Sequence, residues 1–172
     1  MRDEFPSFVS RLVERRVRFV LIGVAGANYF APAAGAVFTT QDRDLFLPLD
    51  PGNLMRAWDA CDAAGLALWA GAEPLDVPHD RVIADAVVER RAVTRAMKGD
   101  LQVDLTLVMA GFAFEQVWSE RRTFVVDGVE IPVARLSHIV RSKAAAGREK
   151  DRLFLATHAD ALRQLLGTKQ EF

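Results

Sequence analysis

Val37-Phe38-Thr39-Thr40-Gln41-Asp42-Arg43-Asp44-Leu45-Phe46-Leu47-Pro48-Leu49 sets two aspartates, one residue apart, at the opening of an otherwise apolar strand candidate. Successive side chains of an extended segment point to opposite faces, so Asp42 and Asp44 project together while Leu45 and Leu47 point the other way. Aspartate is depleted in strands, and neighbouring like charges repel unless something positive sits between them. Two readings follow. The aspartates are solvated turn residues ahead of a strand, or they are a pair of carboxylates presented on one face as a clamp for a metal ion.

The segments before this stretch read as helix, strand and glycine turn. Phe5, Phe8, Val9, Leu12 and Val13 recur at helical spacing over residues 3–16, an amphipathic opening helix whose end carries Arg15, Arg16 and Arg18. Residues 19–23 form a short apolar run closed by Gly23, the pattern of a buried strand. A turn from Gly23 to Gly26 and a short helix stopped by Pro32 come next. Such a turn lets backbone approach a phosphate, and it serves equally well to pack a helix on a strand.

After the acidic stretch, Leu54, Met55, Trp58 and Cys61 mark a helix over residues 52–64 with Gly65 at its stop. Cys61 lies on that apolar stripe and reads as core. A strand over 66–69, a proline-containing loop over 71–80 with an exposed His79, a short helix over 80–89 and a strand over 92–97 are expected next. Residues 101–108 alternate cleanly: Leu101, Val103, Leu105 and Leu107 share one face, and Gln102, Asp104 and Thr106 the other. Asp104 is therefore a third carboxylate in mid-strand. A helix over 112–121 precedes a hairpin turned by Asp127-Gly128. Two helices end the chain. In the first, Leu136, Ile139, Val140 and Lys143 share a stripe, so Lys143 either snorkels outward or faces a polar cavity. The second runs from about residue 148 through Leu166 to a tail expected to fray. His138 and His158 have no metal-ligand spacing and read as structural or exposed.

Length and composition suit one globular domain: 172 residues, 51% hydrophobic and 26% charged, read as a single unit over 1–172 with a C-terminal helical part over 136–172. A net charge of −1 gives no bulk attraction to nucleic acid. The single cysteine excludes an internal disulfide and a thiolate zinc site. The opening residues lack the pattern of a signal peptide, and no apolar run approaches membrane-spanning length. The expectation is a soluble, cytoplasmic protein with no membrane partner.

Three strand-borne carboxylates near a glycine turn point to metal-assisted phosphoryl or nucleotidyl transfer, because Mg²⁺ prefers oxygen ligands and bridges carboxylates to phosphates. Leu-Ile-Gly at 21–23, Thr-Gln-Asp-Arg-Asp-Leu at 40–45, Val-Asp-Leu at 103–105 and Lys-Ala-Ala-Ala-Gly-Arg-Glu-Lys-Asp at 143–151 resemble the nucleotidyltransferase superfamily of the DNA polymerase beta type. Within it, the resemblance is to compact proteins related to the AbiEii toxins of abortive-infection and toxin–antitoxin systems.

That resemblance implies an α+β (mixed α/β) nucleotidyltransferase fold, a mixed sheet flanked by helices with further helices at the C-terminus. It implies Asp42, Asp44 and Asp104 as catalytic residues and ligands to Mg²⁺, with Mn²⁺ as an alternative, and Asp104 as an aid to deprotonating the acceptor hydroxyl. Gly23, Gly26 and Thr40 would serve the nucleotide side of the site, and Lys143, Arg148 and Lys150 its phosphates. The implied activity moves a nucleoside monophosphate from an NTP to a hydroxyl on RNA (tRNA among the candidates), protein or a small molecule, in a toxin-like component with an antitoxin-like partner. Val24, where relatives carry Gly or Ser, and Arg43 between the two aspartates keep a second reading open. In that reading the fold is retained without catalysis and binds a protein or nucleic-acid partner.

Overall fold

The structure is a computed structural model and describes residues 2–167; the tail expected to fray after Leu166 falls largely on residues 168–172, outside the described residues. The described chain is a mixed α+β structure. Helix α1 (Phe5–Glu14) leads to β1 (Val20–Ile22), α2 (Gly23–Asn28), a 3₁₀ turn (Ala31–Ala34), β2 (Asp42–Phe46) and α3 (Pro51–Ala63). Strands β3 (Ala67–Ala70) and β4 (Glu73–Pro74), α4 (Arg81–Arg90), β5 (Thr94–Lys98) and β6 (Leu101–Thr106) follow. Next come α5 (Phe114–Ser119), the hairpin β7 (Arg122–Val126) and β8 (Val129–Val133), then α6 (Leu136–Ala146), α7 (Glu149–Thr157) and α8 (Ala159–Gly167).

The strands form one mixed sheet in the order β4-β3-β5-β6-β2-β1-β8-β7. β2 is central, antiparallel to β1 and parallel to β6. Its two faces have different fates. Arg43, Leu45 and Leu47 point toward the layer containing α1 and α3. There Phe5, Phe8, Leu12, Leu54 and Trp58 are each no more than 1% exposed, and the Trp58 indole N–H donates to Thr94 Oγ1 at 3.1 Å. The face carrying Asp44 and Phe46 meets different helices: Phe46 packs on Phe114 of α5, and α2 packs against β1, β2 and α6.

Local chemistry explains most boundaries. Asp50 caps α3 by accepting from the backbone N–H groups of Gly52 and Asn53, with Pro51 in the first helical turn. Pro51 therefore starts a helix. Asp127 and Gly128 both have positive φ, as a two-residue hairpin turn requires. The buried Asn53 amide clamps one backbone unit: its Oδ1 accepts from the Arg18 N–H at 2.7 Å and its Nδ2 donates to the Arg18 carbonyl at 3.0 Å.

Three expectations need correction. No separate turn spans residues 23–26, because Gly23 has φ of 69° and turns the chain from strand into helix within one residue. The final helix is two, broken at His158, whose ring packs against Phe38 and Phe154, so that α8 lays Leu162 and Leu165 inward beside the 3₁₀ turn. His79 is not a surface side chain: its ring is 3% exposed, stands 5.4 Å from Trp58 and bonds Asp62 of α3. Among the described residues no helix is long and apolar enough to cross a membrane.

Asn53→Ala removes both partners of the Arg18 peptide in a site that excludes water. The expected cost is about 1–3 kcal/mol, read in a thermal melt as about 2–4 °C per kcal/mol. A shift no larger than that of an exposed substitution would refute the clamp.

Candidate active site

The acidic residues meet because β2 and β6 are parallel neighbours in one register. Asp44 lies beside Asp104, and Asp42 beside Gln102. Directly paired residues of adjacent strands share a face at backbone spacings of about 4.8 Å. On the other side of β2, Ile22 of β1 pairs with Asp44, and Gly23 follows at once. The positive φ favours glycine at this position, and a Cβ there would stand 2.7 Å from Asp44 Oδ2 and displace that carboxylate.

Gly23, Asp44, Asp104 and Thr106 form the sheet side of a cleft of about 420 Å³, and Ile139, Ser142 and Lys143 of α6, with Arg148 and Lys150, contribute the helical side. The structure thus brings together Gly23, Asp44, Asp104, Lys143, Arg148 and Lys150. Asp42 and Thr40 stand outside the cleft lining. Asp42 is exposed and accepts from Gln102 Nε2. Thr40 caps the start of β2, its Oγ1 accepting from the Asp42 N–H at 3.2 Å. Gly26 is buried elsewhere: a Cβ there would meet the Leu21 carbonyl at 2.9 Å and Ile139 Cδ1 at 3.1 Å. It lets α2 pack closely between β1 and α6 and does not reach the cleft.

Each acidic group has a different electrostatic setting. Asp104 is paired: Arg95 of β5, its antiparallel partner in the ladder, donates from Nε to Oδ1 at 2.7 Å and from Nη2 to Oδ2 at 3.1 Å. Asp151, fully buried at the start of α7, accepts from Arg148 Nε at 2.7 Å and Lys143 Nζ at 3.4 Å. Burial pushes its pKa up, but Arg148 and Lys143 outweigh that and hold it below the usual aspartate range. Lys143, also 5.0 Å above the Phe154 ring, is shifted down by burial against the pull of Asp151 and Asp44. Lys143 therefore faces a polar cavity and does not snorkel.

Asp44 is the exception. No hydrogen bond or ion pair to its carboxylate is found among the described residues. Its pKa is raised, first by desolvation and then by the charges of Asp104 and Asp42, with Lys150 and Lys143 offsetting part of this. The three strand aspartates do not close on one point. Among the described residues, Asp59, Asp62 and His79 are the set of His, Cys, Asp or Glu side chains whose ligand atoms all lie within 4.8 Å of one another. Asp42 and Asp104 are instead drawn toward Gln102 and Arg95.

Arg43, the spacer between the aspartates, is on the opposite face. Its Nη2 donates to Asp3 Oδ2 at 2.8 Å and its guanidinium lies over the Phe5 ring at 4.9 Å. It does not neutralise Asp42 or Asp44. The sequence reading missed Arg95 and gave Asp151 no role. Arg95 was reachable, since a two-residue turn at Gly99-Asp100 pairs Lys98 with Leu101 and counts back to Arg95 opposite Asp104.

No protein-family model matches the chain, and no curated protein matches it.

The raised Asp44 pKa fixes a sign. The folded protein binds the Asp44 proton more tightly than the unfolded chain, so stability falls as pH rises from the ordinary aspartate pKa through the raised value. Asp44→Asn removes this penalty. It is expected to melt higher than wild type at pH 7, by about 2–4 °C per kcal/mol recovered, with the gap closing as pH falls toward the ordinary aspartate range. A variant that melts lower at every pH would contradict it.

Proposed function

We propose that the cleft between β2, β6 and α6 binds an NTP with Mg²⁺, or Mn²⁺ in its place, and transfers the nucleoside monophosphate to a hydroxyl acceptor on RNA, protein or a small molecule. The observation that carries this is Asp44: a partly desolvated carboxylate with no bonded partner, flanked by two others and facing Lys143 and Lys150. A carboxylate in that state is stabilised by a cation, and hard oxygen donors suit Mg²⁺. Asp44 and Asp104 are the residues that would hold it, with Asp42 at the mouth. When bound, the metal neutralises the leaving pyrophosphate and polarises the attacking hydroxyl.

The protein's own groups divide the remaining work. Gly23 leaves room for the Asp44 carboxylate and for a phosphate beside it. Lys143 and Lys150 face the cleft as the counter-charge to a triphosphate. Arg148 holds Asp151 through two N–H groups, at 2.7 and 3.3 Å, where Lys143 makes one contact at 3.4 Å, so the part of Arg148 is to fix the start of α7 beside Lys143. Asp104 is the group to take the acceptor's proton. The nucleotidyltransferase fold is supported by β1 leading directly into Gly23, its antiparallel neighbour bearing the aspartate pair and the next, parallel strand bearing Asp104. The toxin-like role and an antitoxin-like partner follow from the resemblance alone.

Calorimetry with Mg²⁺ and each NTP is expected to give binding to wild type that is about tenfold weaker or worse in Asp44→Asn and in Asp104→Asn, a loss of about 1.4 kcal/mol or more. Absence of heat with every NTP would sink the reading. Binding that survives Asp104→Asn would favour the non-catalytic binding module.

A further inference from the structure

We infer that Arg95 is a built-in substitute cation for the metal at Asp104: its guanidinium holds the carboxylate in the cation-free protein and leaves it when a divalent ion enters. The inference rests on the metal-dependent reading of the cleft. Arg95 contacts both oxygens of Asp104, at 2.7 and 3.1 Å, and a bidentate guanidinium occupies the carboxylate edge that a metal would use.

The pair has one fixed end and one free end. The Asp104 side chain is 13% exposed and anchored in a central strand, whereas that of Arg95 is 46% exposed. Among the described residues, Asp104 is the hydrogen-bonding partner of the Arg95 guanidinium, which also feels the charges of Asp42 and Asp44. Half-exposed ion pairs are weak, so a divalent ion already attracted by the unpaired Asp44 can displace this one. Of the other cations near the acidic strand, Lys150 faces Asp44 across the cleft, and the rest lack that freedom. Arg43 is held on the opposite face by Asp3 and Phe5, and Lys143 and Arg148 are engaged by buried Asp151. Arg95 therefore sets the affinity of the site for metal without being a ligand itself.

The test is Mn²⁺ binding, measured by calorimetry and by the electron paramagnetic resonance signal of free Mn²⁺, on the wild type, Arg95→Gln, Arg95→Lys and Asp44→Asn. Binding that is lost in Asp44→Asn identifies the site. Arg95→Gln is expected to bind about two- to fivefold more tightly than wild type, with Arg95→Lys in between. Mn²⁺ is also expected to raise the melting temperature more in Arg95→Gln, whose Asp104 has no counter-charge until the ion arrives. Equal or weaker binding in Arg95→Gln, with Asp44 still required, would overturn the role of Arg95 and leave the cleft reading standing. No Asp44-dependent binding in either wild type or Arg95→Gln would remove both.

Discussion

An uncompensated carboxylate near the middle of an eight-stranded sheet is the constraint around which the molecule is arranged. Asp44 is held beside Asp104 by the β2–β6 register and two residues from Asp42 by the chain itself. Charges this close cannot all be comfortable in a partly desolvated site. Asp42 is relieved by Gln102, Asp104 by Arg95, and the nearby Asp151 by Arg148 and Lys143. Among the described residues, Asp44 is left with long-range attraction to lysines across a cleft. Gly23 leaves that carboxylate where it stands, because a Cβ there would come within 2.7 Å of Asp44 Oδ2 and displace it.

Such a site is tolerable because the opposite face of the sheet is packed without compromise. Phe5, Phe8, Leu12, Leu54 and Trp58 are buried there, and a fully buried side chain of this size contributes about 1.5–3 kcal/mol. The same two-sidedness settles Arg43. In the sequence it stood between the aspartates as a departure that kept a non-catalytic reading open, and the pleat sends it to the α1 side, where Asp3 and the Phe5 ring accept it. The residue that does neutralise a site carboxylate comes from a different strand.

Most of the secondary structure was legible because its signals are local. The alternation over 101–108, the apolar stripe of α1 and the Asp-Gly turn each depend on residues a few positions apart, and each marks an observed element, the first of them a strand that ends at Thr106. The failures are local patterns with tertiary consequences. Periodicity cannot see the break at His158, which comes with the packing of that ring on distant Phe38 as well as on Phe154. Gly26 reads like part of a phosphate turn, but it serves the close packing of α2 between β1 and α6. His79 lies in a proline-containing loop, and only the approach of that loop to α3 buries its ring.

The candidate site divides in the same way. That Asp42 and Asp44 share a face, that Asp104 lies on the polar side of its strand, and that Lys143 interrupts an apolar stripe all follow from side-chain geometry along a single element, and the sequence determined them. Which strands are neighbours, that Asp104 rather than Gln102 stands level with Asp44, and that Asp42 is left outside the cleft lining were decided only in the folded chain. Pairing between β2 and β6 joins segments about 60 residues apart, and its register is fixed by the packing of both strands' buried faces, a property no window of sequence contains.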